Sequence, residues 1–249
     1  MRPEVQKNIW DREQVRRIAA GFDTNKRRLG VIFKDIRESR RDCSPGDVKV
    51  LNIGIGNGYL EATLLSNGFD TYSLDPSENA IDAILEKLGG PEGHFRVGSA
   101  SAMPFDTSFF DFVVMSEVIE HLDDETLIAC LSELKRVLKP GGAFIGTCPD
   151  DEDLSRNTIT CPHCSHSFHR VGHVRSFNVR TLQALLGKHF EVQFCRSIRG
   201  MHLNWKGLIM YWYNVFPFRF AQILKPSIRI PQYIGCHIFF KVNKSVSGR

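Results

Sequence analysis

Residues 48–53 form a short apolar run closed by Gly54, the pattern of a buried strand. The stretch at 59–67, stopped by Gly68, reads as a helix, and residues 69–75 as a second strand. The alternation continues with a helix from Ser77 to the Gly89-Gly90-Pro91 stop, a third strand at 95–98, and a fourth at 110–116 that is apolar on both faces. Residues 123–138 predict a helix with acids in its first turn and Lys135, Arg136 and Lys139 at its end, matching the helix dipole. Pro140-Gly141-Gly142 closes it, and 143–148 reads as a fifth strand. Strands alternating with helices in this way predict a parallel sheet covered on both faces. Upstream, residues 24–41 place Leu29, Ile32, Phe33 and Ile36 on one helical face, with Thr24 as N-cap. After 150 the rhythm breaks. A polar segment at 151–177 precedes a helix at 178–187, a strand at 190–199, an aromatic segment at 200–232 and a last strand at 233–242.

No internal repeat or low-complexity tract interrupts this order, so one domain over 1–249 is expected. Its parts are N-terminal helices to 47, a core at 48–150, and insertions at 151–177 and 200–232. Hydrophobic residues at 42% and charged residues at 24% of 249 positions allow an ordinary globular core without disulfides or metals as obligatory staples. No apolar run approaches the ~18 residues of a bilayer-spanning helix. The Met1-Arg2-Pro3-Glu4 start has no export-signal pattern, and seven cysteines suit a reducing compartment, so a cytoplasmic location is expected. The net charge of +4 conceals a partition: +5 over 1–49, −14 over 50–153 and +13 over 154–249. An acidic core between basic flanks suggests attached surfaces that meet something anionic: a phosphorylated metabolite, a lipid head group or a nucleic acid.

The junction of the first strand and helix reads Gly54-Ile55-Gly56-Asn57-Gly58. Glycines there let the backbone turn sharply and approach a ligand, and the following helix offers free N–H groups. The third glycine comes one residue too early for the dinucleotide-binding fingerprint. Asp75 closes the second strand, where a carboxylate can accept hydrogen bonds from both ribose hydroxyls of a nucleoside.

Four ordered segments, VLNIGIGNGYL from Val50, SLDPS from Ser73, AMPFDTSFFDFVVMSEVIEHL from Ala102 and LKRVLKPGGAFIGTCP from Leu134, resemble the class I S-adenosylmethionine-dependent methyltransferases, particularly the small-molecule group. The resemblance implies an α/β Rossmann-like fold, with a seven-stranded sheet whose last strand is antiparallel and a cofactor across the strand C-termini. It implies that Gly54, Gly56 and Gly58 line the methionine moiety, Asp75 holds the ribose, Ser99 and Ala100 border the adenine, and Ser116 sits beside the reactive centre. Asn52 and Ser99 stand where the family usually has acids, which removes charge attraction to the cofactor and leaves a disabled cofactor-binding scaffold as one alternative. After the fourth strand, Glu117, Glu120 and His121 are neighbours if helical. His121 is the candidate base with Glu117 beside it, the alternative being that Glu120 and His121 only brace the loop. The absence of an Asn/Asp-Pro-Pro-aromatic motif disfavours methylation of exocyclic base nitrogens.

Cys161, Cys164, His169 and His173 give C-x2-C-x4-H-x3-H, the donor set of a structural zinc close to a knuckle in spacing. The alternative is reduced cysteines in a polar loop, with His173 and Arg175 lining a substrate pocket. Residues 201–240 hold ten aromatics interspersed with Lys206, Arg219, Lys225 and Arg229 and no acid. Such a segment suits a lid over an apolar substrate, a membrane interface, a platform for single-stranded RNA, or a cap packed on the core. The expected activity is methyl transfer from S-adenosylmethionine to a small or lipid-linked acceptor, at oxygen, with peripheral membrane contact. An RNA methyltransferase using the knuckle-like loop and the basic C-terminal third is the competing reading.

Overall fold

The computed structural model of the chain describes residues 26–91, 93–199 and 236–246. The expected Thr24 cap and the aromatic insertion at 200–232 lie outside them. Helix α1 (Lys26–Ser39) is followed by β1 (Lys49–Ile53), α2 (Tyr59–Ser66), β2 (Asp70–Asp75), α3 (Glu78–Leu88), β3 (Phe95–Val97) and β4 (Phe110–Ser116). Then come α4 (Asp124–Val137), β5 (Leu138–Pro149), the short strands β6 (Thr158–Thr160) and β7 (Ser167–His169), α5 (Val179–Gly187), β8 (Glu191–Arg199) and β9 (Cys236–Asn243).

The main sheet has seven strands in the order β3-β2-β1-β4-β5-β9-β8. β1 to β5 are parallel, and β9 runs antiparallel to both β5 and β8. This is the doubly wound arrangement expected from the alternation. Strand side chains divide by period two. Val50, Phe112, Val114, Ile145 and Phe239 meet α1 and α2 on one face through Leu29, Ile32, Ile36, Leu60 and Leu64. Leu51, Ile53, Val113, Met115, Phe144 and Phe240 meet Leu127, Cys130, Leu131 and Leu134 of α4 on the other. Helices α3 and α4 begin where the sequence signals capping, with Ser77 accepting from the Ala80 N–H at 3.2 Å and Asp123 from the Thr126 N–H at 2.9 Å. Gly146 is demanded by close approach: a Cβ there would lie 2.3 Å from the Met115 carbonyl and 2.5 Å from the Phe240 ring.

Two expectations change. The fifth strand begins at Leu138 rather than 143, because Phe110 pairs with Leu138 and the ladder resumes beyond a register shift at Phe112–Ala143. Within it, Gly141 takes φ +75° and its N–H reaches the Lys244 carbonyl at 2.9 Å, so the Pro-Gly-Gly run kinks the strand instead of only stopping the helix. The polar segment 151–177 is not all loop. It folds into a helical turn, Leu154–Asn157, and the β6–β7 hairpin, and returns to the sheet edge through an Asp151 N–H to Phe177 carbonyl bond at 2.7 Å. The parallel strands end at one edge, bringing Gly54, Asp75, Ser99, Ser116 and Pro149 together. β9 starts there, with His237 paired to Pro149.

Candidate active site

At the β1–β2 side of this edge, Gly54 (φ +83°) donates its N–H to the Leu74 carbonyl at 2.9 Å. A Cβ on it would meet Val118 Cγ2 at 2.6 Å. Gly56 (φ +61°) faces open space, with nothing within 4 Å of a Cβ position, and Gly58 (φ +76°) starts α2 in the left-handed region. Asp75 is fully buried and fastens the loops on either side. Its Oδ2 accepts from the Ile55 N–H at 3.0 Å and its Oδ1 from the Ser77 N–H at 2.9 Å. The result is a glycine-lined cradle fastened to a buried carboxylate, an arrangement that fits a nucleoside-bearing ligand. Ala100 is buried beside it, while Ser99 is exposed with its Oγ 2.8 Å from Ser101 Oγ.

Asn52, buried under the loop, is not isolated. Its Nδ2 donates to Glu61 Oε1 at 2.6 Å, and Ser73 Oγ donates to the same oxygen at 3.0 Å. Burial pushes the Glu61 carboxyl up to about 7 against these hydrogen bonds. Glu61 therefore supplies, from the first turn of α2, a carboxyl next to the position where the family usually carries one. The sequence pattern did not single it out.

The β4–β5 side carries a second polar network. Ser116 Oγ lies 2.8 Å from Thr147 Oγ1 and accepts from Arg28 Nε at 3.1 Å. Thr147 Oγ1 donates to Glu117 Oε1 at 3.0 Å, and Glu117 Oε2 lies 3.2 Å from His237 Nε2 and 3.5 Å from Arg28 Nη1. Glu117 holds φ +59°, a left-handed conformation uncommon for a non-glycine residue and one that clusters at functional sites. Burial works against its charge, but His237, Arg28 and Thr147 outweigh it and hold the carboxyl below its ordinary range. Arg28, Thr147 and His237 escaped the sequence reading because they come from three separated segments that only the sheet order brings together.

Behind Glu117, a short helical turn, Ile119–His121, meets the polar insertion. The Val174 N–H donates to the Glu120 carbonyl at 3.0 Å, His121 Nδ1 lies 3.1 Å from the Gly172 carbonyl, and Arg175 Nε donates to the Leu122 carbonyl at 2.7 Å. Burial, then the neighbouring His173, pushes His121 down to about 4, so it is a neutral imidazole and a weak base. That weakens the base role expected of it. Burial, reinforced by the Glu117 charge, pushes Glu120 well up.

The expected zinc set is separated by the hairpin. Thr158 pairs with His169 and Thr160 with Ser167, and Cys161 and Cys164 form the turn beyond, closed by a Cys161 N–H to His166 carbonyl bond at 2.9 Å. Two strand residues carry a turn about 7 Å from the ladder's start. Among the described residues, the groups whose donor atoms lie within 4.8 Å of one another are Glu120–His121–His173 and Glu152–His169–His173. Neither includes a cysteine. Cys161 is lowered by the backbone N–H groups of Cys164 and His163, as expected of a turn that points amides at a thiol.

Residues 51–146 match the family described as "Methyltransferase domain". This stretch of the chain is a methyltransferase domain of the class I fold. Among curated relatives, an uncharacterised methyltransferase of Schizosaccharomyces pombe is 34% identical over 122 residues, covering 43% of this chain and 40% of that protein. The human mitochondrial ubiquinone biosynthesis O-methyltransferase is 30% identical over 161 residues, covering 59% of this chain and 41% of that one. The chain thus spans under half the length of these relatives. The solved structure of Burkholderia thailandensis 1,6-didemethyltoxoflavin-N1-methyltransferase, with its substrate and S-adenosylhomocysteine bound, shares the fold at a TM-score of 0.63 and 14% identity, over 97% of this chain and 87% of that one. The methyltransferase core ends near β5, so the polar insertion falls beyond the matched domain.

Proposed function

We propose that this chain transfers a methyl group from S-adenosylmethionine to an oxygen of a small or lipid-linked acceptor. The observation that carries the reading is the glycine cradle fastened to the buried Asp75 carboxylate, set across the strand ends from the Ser116–Glu117–Thr147–Arg28–His237 network. Gly54, Gly56 and Gly58 would admit the cofactor's backbone-contacting part, Asp75 would hold its ribose, Ala100 and Ser99 would border its base, and Ser116 would stand beside the reacting atoms. Asn52 is kept in place by Glu61, so its lack of charge does not leave that corner without a carboxyl. When bound, the cofactor supplies an electrophilic methyl on a sulfonium.

Methyl transfer then depends on placing an oxygen nucleophile and taking its proton. Glu117 is better placed for that task than His121: its backbone is pinned at φ +59°, and its carboxylate meets Thr147, Arg28 and His237 beside Ser116. A carboxylate beside an imidazole suits an acceptor that must lose a proton, and oxygen finds support in the human relative, whose name is that of an O-methyltransferase. The lipid-linked class rests on the sequence of residues 205–220, rich in aromatic side chains with Lys206 and Arg219 among them. No helix among the described residues is long and apolar enough to cross a membrane.

The test is calorimetry with S-adenosylhomocysteine on the full chain. Binding should be measurable, and Asp75→Ala should weaken it by about 1.5–3 kcal/mol, the worth of hydrogen bonds to a charged group. No heat from the wild-type protein would overturn the reading. Glu117→Gln should leave that binding within about twofold while lowering turnover by about 10²–10⁴, the range for loss of a general base.

A further inference from the structure

We infer that the polar insertion and the loop after β4 together form a binding site for a divalent transition-metal ion, with Glu120, His121 and His173 as its ligands. The site is independent of the proposed methyl transfer and differs from the Cys161/Cys164 set expected from the sequence. One donor atom of each of the three residues lies within 4.8 Å of the others, and His173 Nε2 is 3.8 Å from Glu120 Oε1. Two ligands held at about 2.1 Å in a tetrahedron are about 3.4 Å apart, so only a small contraction would close the set around an ion.

The proton positions favour ligation. A carbonyl oxygen only accepts, so His121 Nδ1, 3.1 Å from the Gly172 carbonyl, carries the proton and its lone pair is on Nε2. The Glu152 carboxylate likewise only accepts, so His173 donates from Nδ1 to Glu152 and points its Nε2 toward Glu120. Carbonyl and carboxylate partners behind the ring are how metal-bound histidines are oriented. Glu152 is itself steadied by His169, whose Nε2 is 3.6 Å from Glu152 Oε1 and whose Nδ1 accepts the His173 N–H at 3.0 Å. His169 thus offers its lone pair to the backbone and supports the site from behind Glu152.

The independent sign is Glu120. Its side chain is 1% exposed, and neither carboxylate oxygen has a hydrogen-bond partner among the described residues. A sealed carboxylate beside two imidazoles lacks the donor that buried polar groups ordinarily find, and a cation held by all three side chains would satisfy it. Two imidazoles and a carboxylate are borderline ligands suited to zinc and its neighbours rather than to magnesium or calcium. Such an ion would clamp the insertion, through His173, onto the loop that carries Glu117.

The experiment uses chelator-treated full-length protein titrated with Zn2+ by calorimetry, with Co2+ absorption as a second readout of ligand type. One ion should bind per chain, and His173→Ala and Glu120→Gln should each weaken it by at least about a hundredfold. Glu152→Gln, which keeps every ligand, should weaken it by about 10–100-fold, the usual effect of losing a ligand's orienting partner. That variant guards against misfolding, as do melting curves recorded for all variants. Cys161→Ser with Cys164→Ser should leave the affinity unchanged and the Co2+ spectrum free of thiolate charge transfer. No Zn2+ binding by the wild type, or binding that survives His173→Ala and vanishes in the double cysteine variant, would overturn the inference.

Discussion

Glu61 and Glu120 are both sealed from water near the same edge of the sheet, and their neighbours treat them in opposite ways. Glu61 receives two hydrogen bonds on one oxygen, from the neutral amide of Asn52 and the hydroxyl of Ser73. Glu120 receives none on either oxygen and faces imidazoles, with the charged Glu117 near enough to raise its proton affinity further. Neutral donors can stabilise a buried carboxyl by themselves. A carboxyl with no donor on either oxygen depends instead on a proton or a cation. Burial alone therefore says little about a buried acid, and the protonation of its neighbours says a great deal.

The comparison breaks most severely if a second acid enters the first pocket. Asn52→Asp would set two carboxyls against each other in a sealed site, and the variant should lose about 3–5 kcal/mol of stability at pH 8 in urea unfolding, the scale for an uncompensated buried charge. Adding Glu61→Gln should recover most of that loss, since the donor and acceptor have merely exchanged sides. An Asn52→Asp protein as stable as the wild type at pH 8 would mean that Glu61 is not the acid of that corner.

A slightly smaller effect tests the Glu61 proton itself. Its folded value of about 7 lies above the ordinary 4.5, so the folded chain holds the proton more tightly than the unfolded chain. The stability this confers is complete below pH 4.5 and is lost as pH rises through 7, about 3 kcal/mol in all. Unfolding curves at pH 5, 6, 7 and 8 should show that decline in the wild type and a flatter profile in Glu61→Gln. An identical slope in both proteins would assign the pH dependence elsewhere. The smallest expected effect is Ser99→Asp. Ser99 is the other position lacking the family's acid, and unlike Asn52 it is exposed with only Ser101 against its hydroxyl. An aspartate there should tighten S-adenosylhomocysteine by about 1 kcal/mol in calorimetry, the net worth of one hydrogen bond.

The sheet was readable in the sequence because strands buried on both faces appear as apolar runs between glycines, and because Ser77 and Asp123 announce their helices as caps. Gly54, Gly56 and Gly58 were readable because a single strand–loop–helix turn holds all three, and Asp75 because it closes the strand that follows. The rest required three dimensions. Arg28 and His237 are 209 residues apart yet lie 3.4 Å from each other, because α1 crosses the sheet beside the one antiparallel strand. The regular Cys/His spacing misled because it ignores the hairpin, whose ladder holds His169 at its base and sends both cysteines to the tip. Their even spacing suggested one site, and the fold divides it.

The β8–β9 ladder begins with Arg199 opposite Cys236, so the chain departs and returns through adjacent points, next to the Pro149–His237 pair. Whatever joins two such points is a graft on a finished stock. Lengthening it is inexpensive, about 0.6 kcal/mol for each doubling, because the entropy of closing a loop grows only with the logarithm of its length. The antiparallel pairing of β8 with β9 fixes the two points that any joining segment must reach. Mutation can then change what meets the acceptor end of this protein while the sheet, the glycine cradle and Asp75 stay as they are. A chimaera in which a short turn replaces residues 200–235 should keep its binding of S-adenosylhomocysteine even where it loses its acceptor.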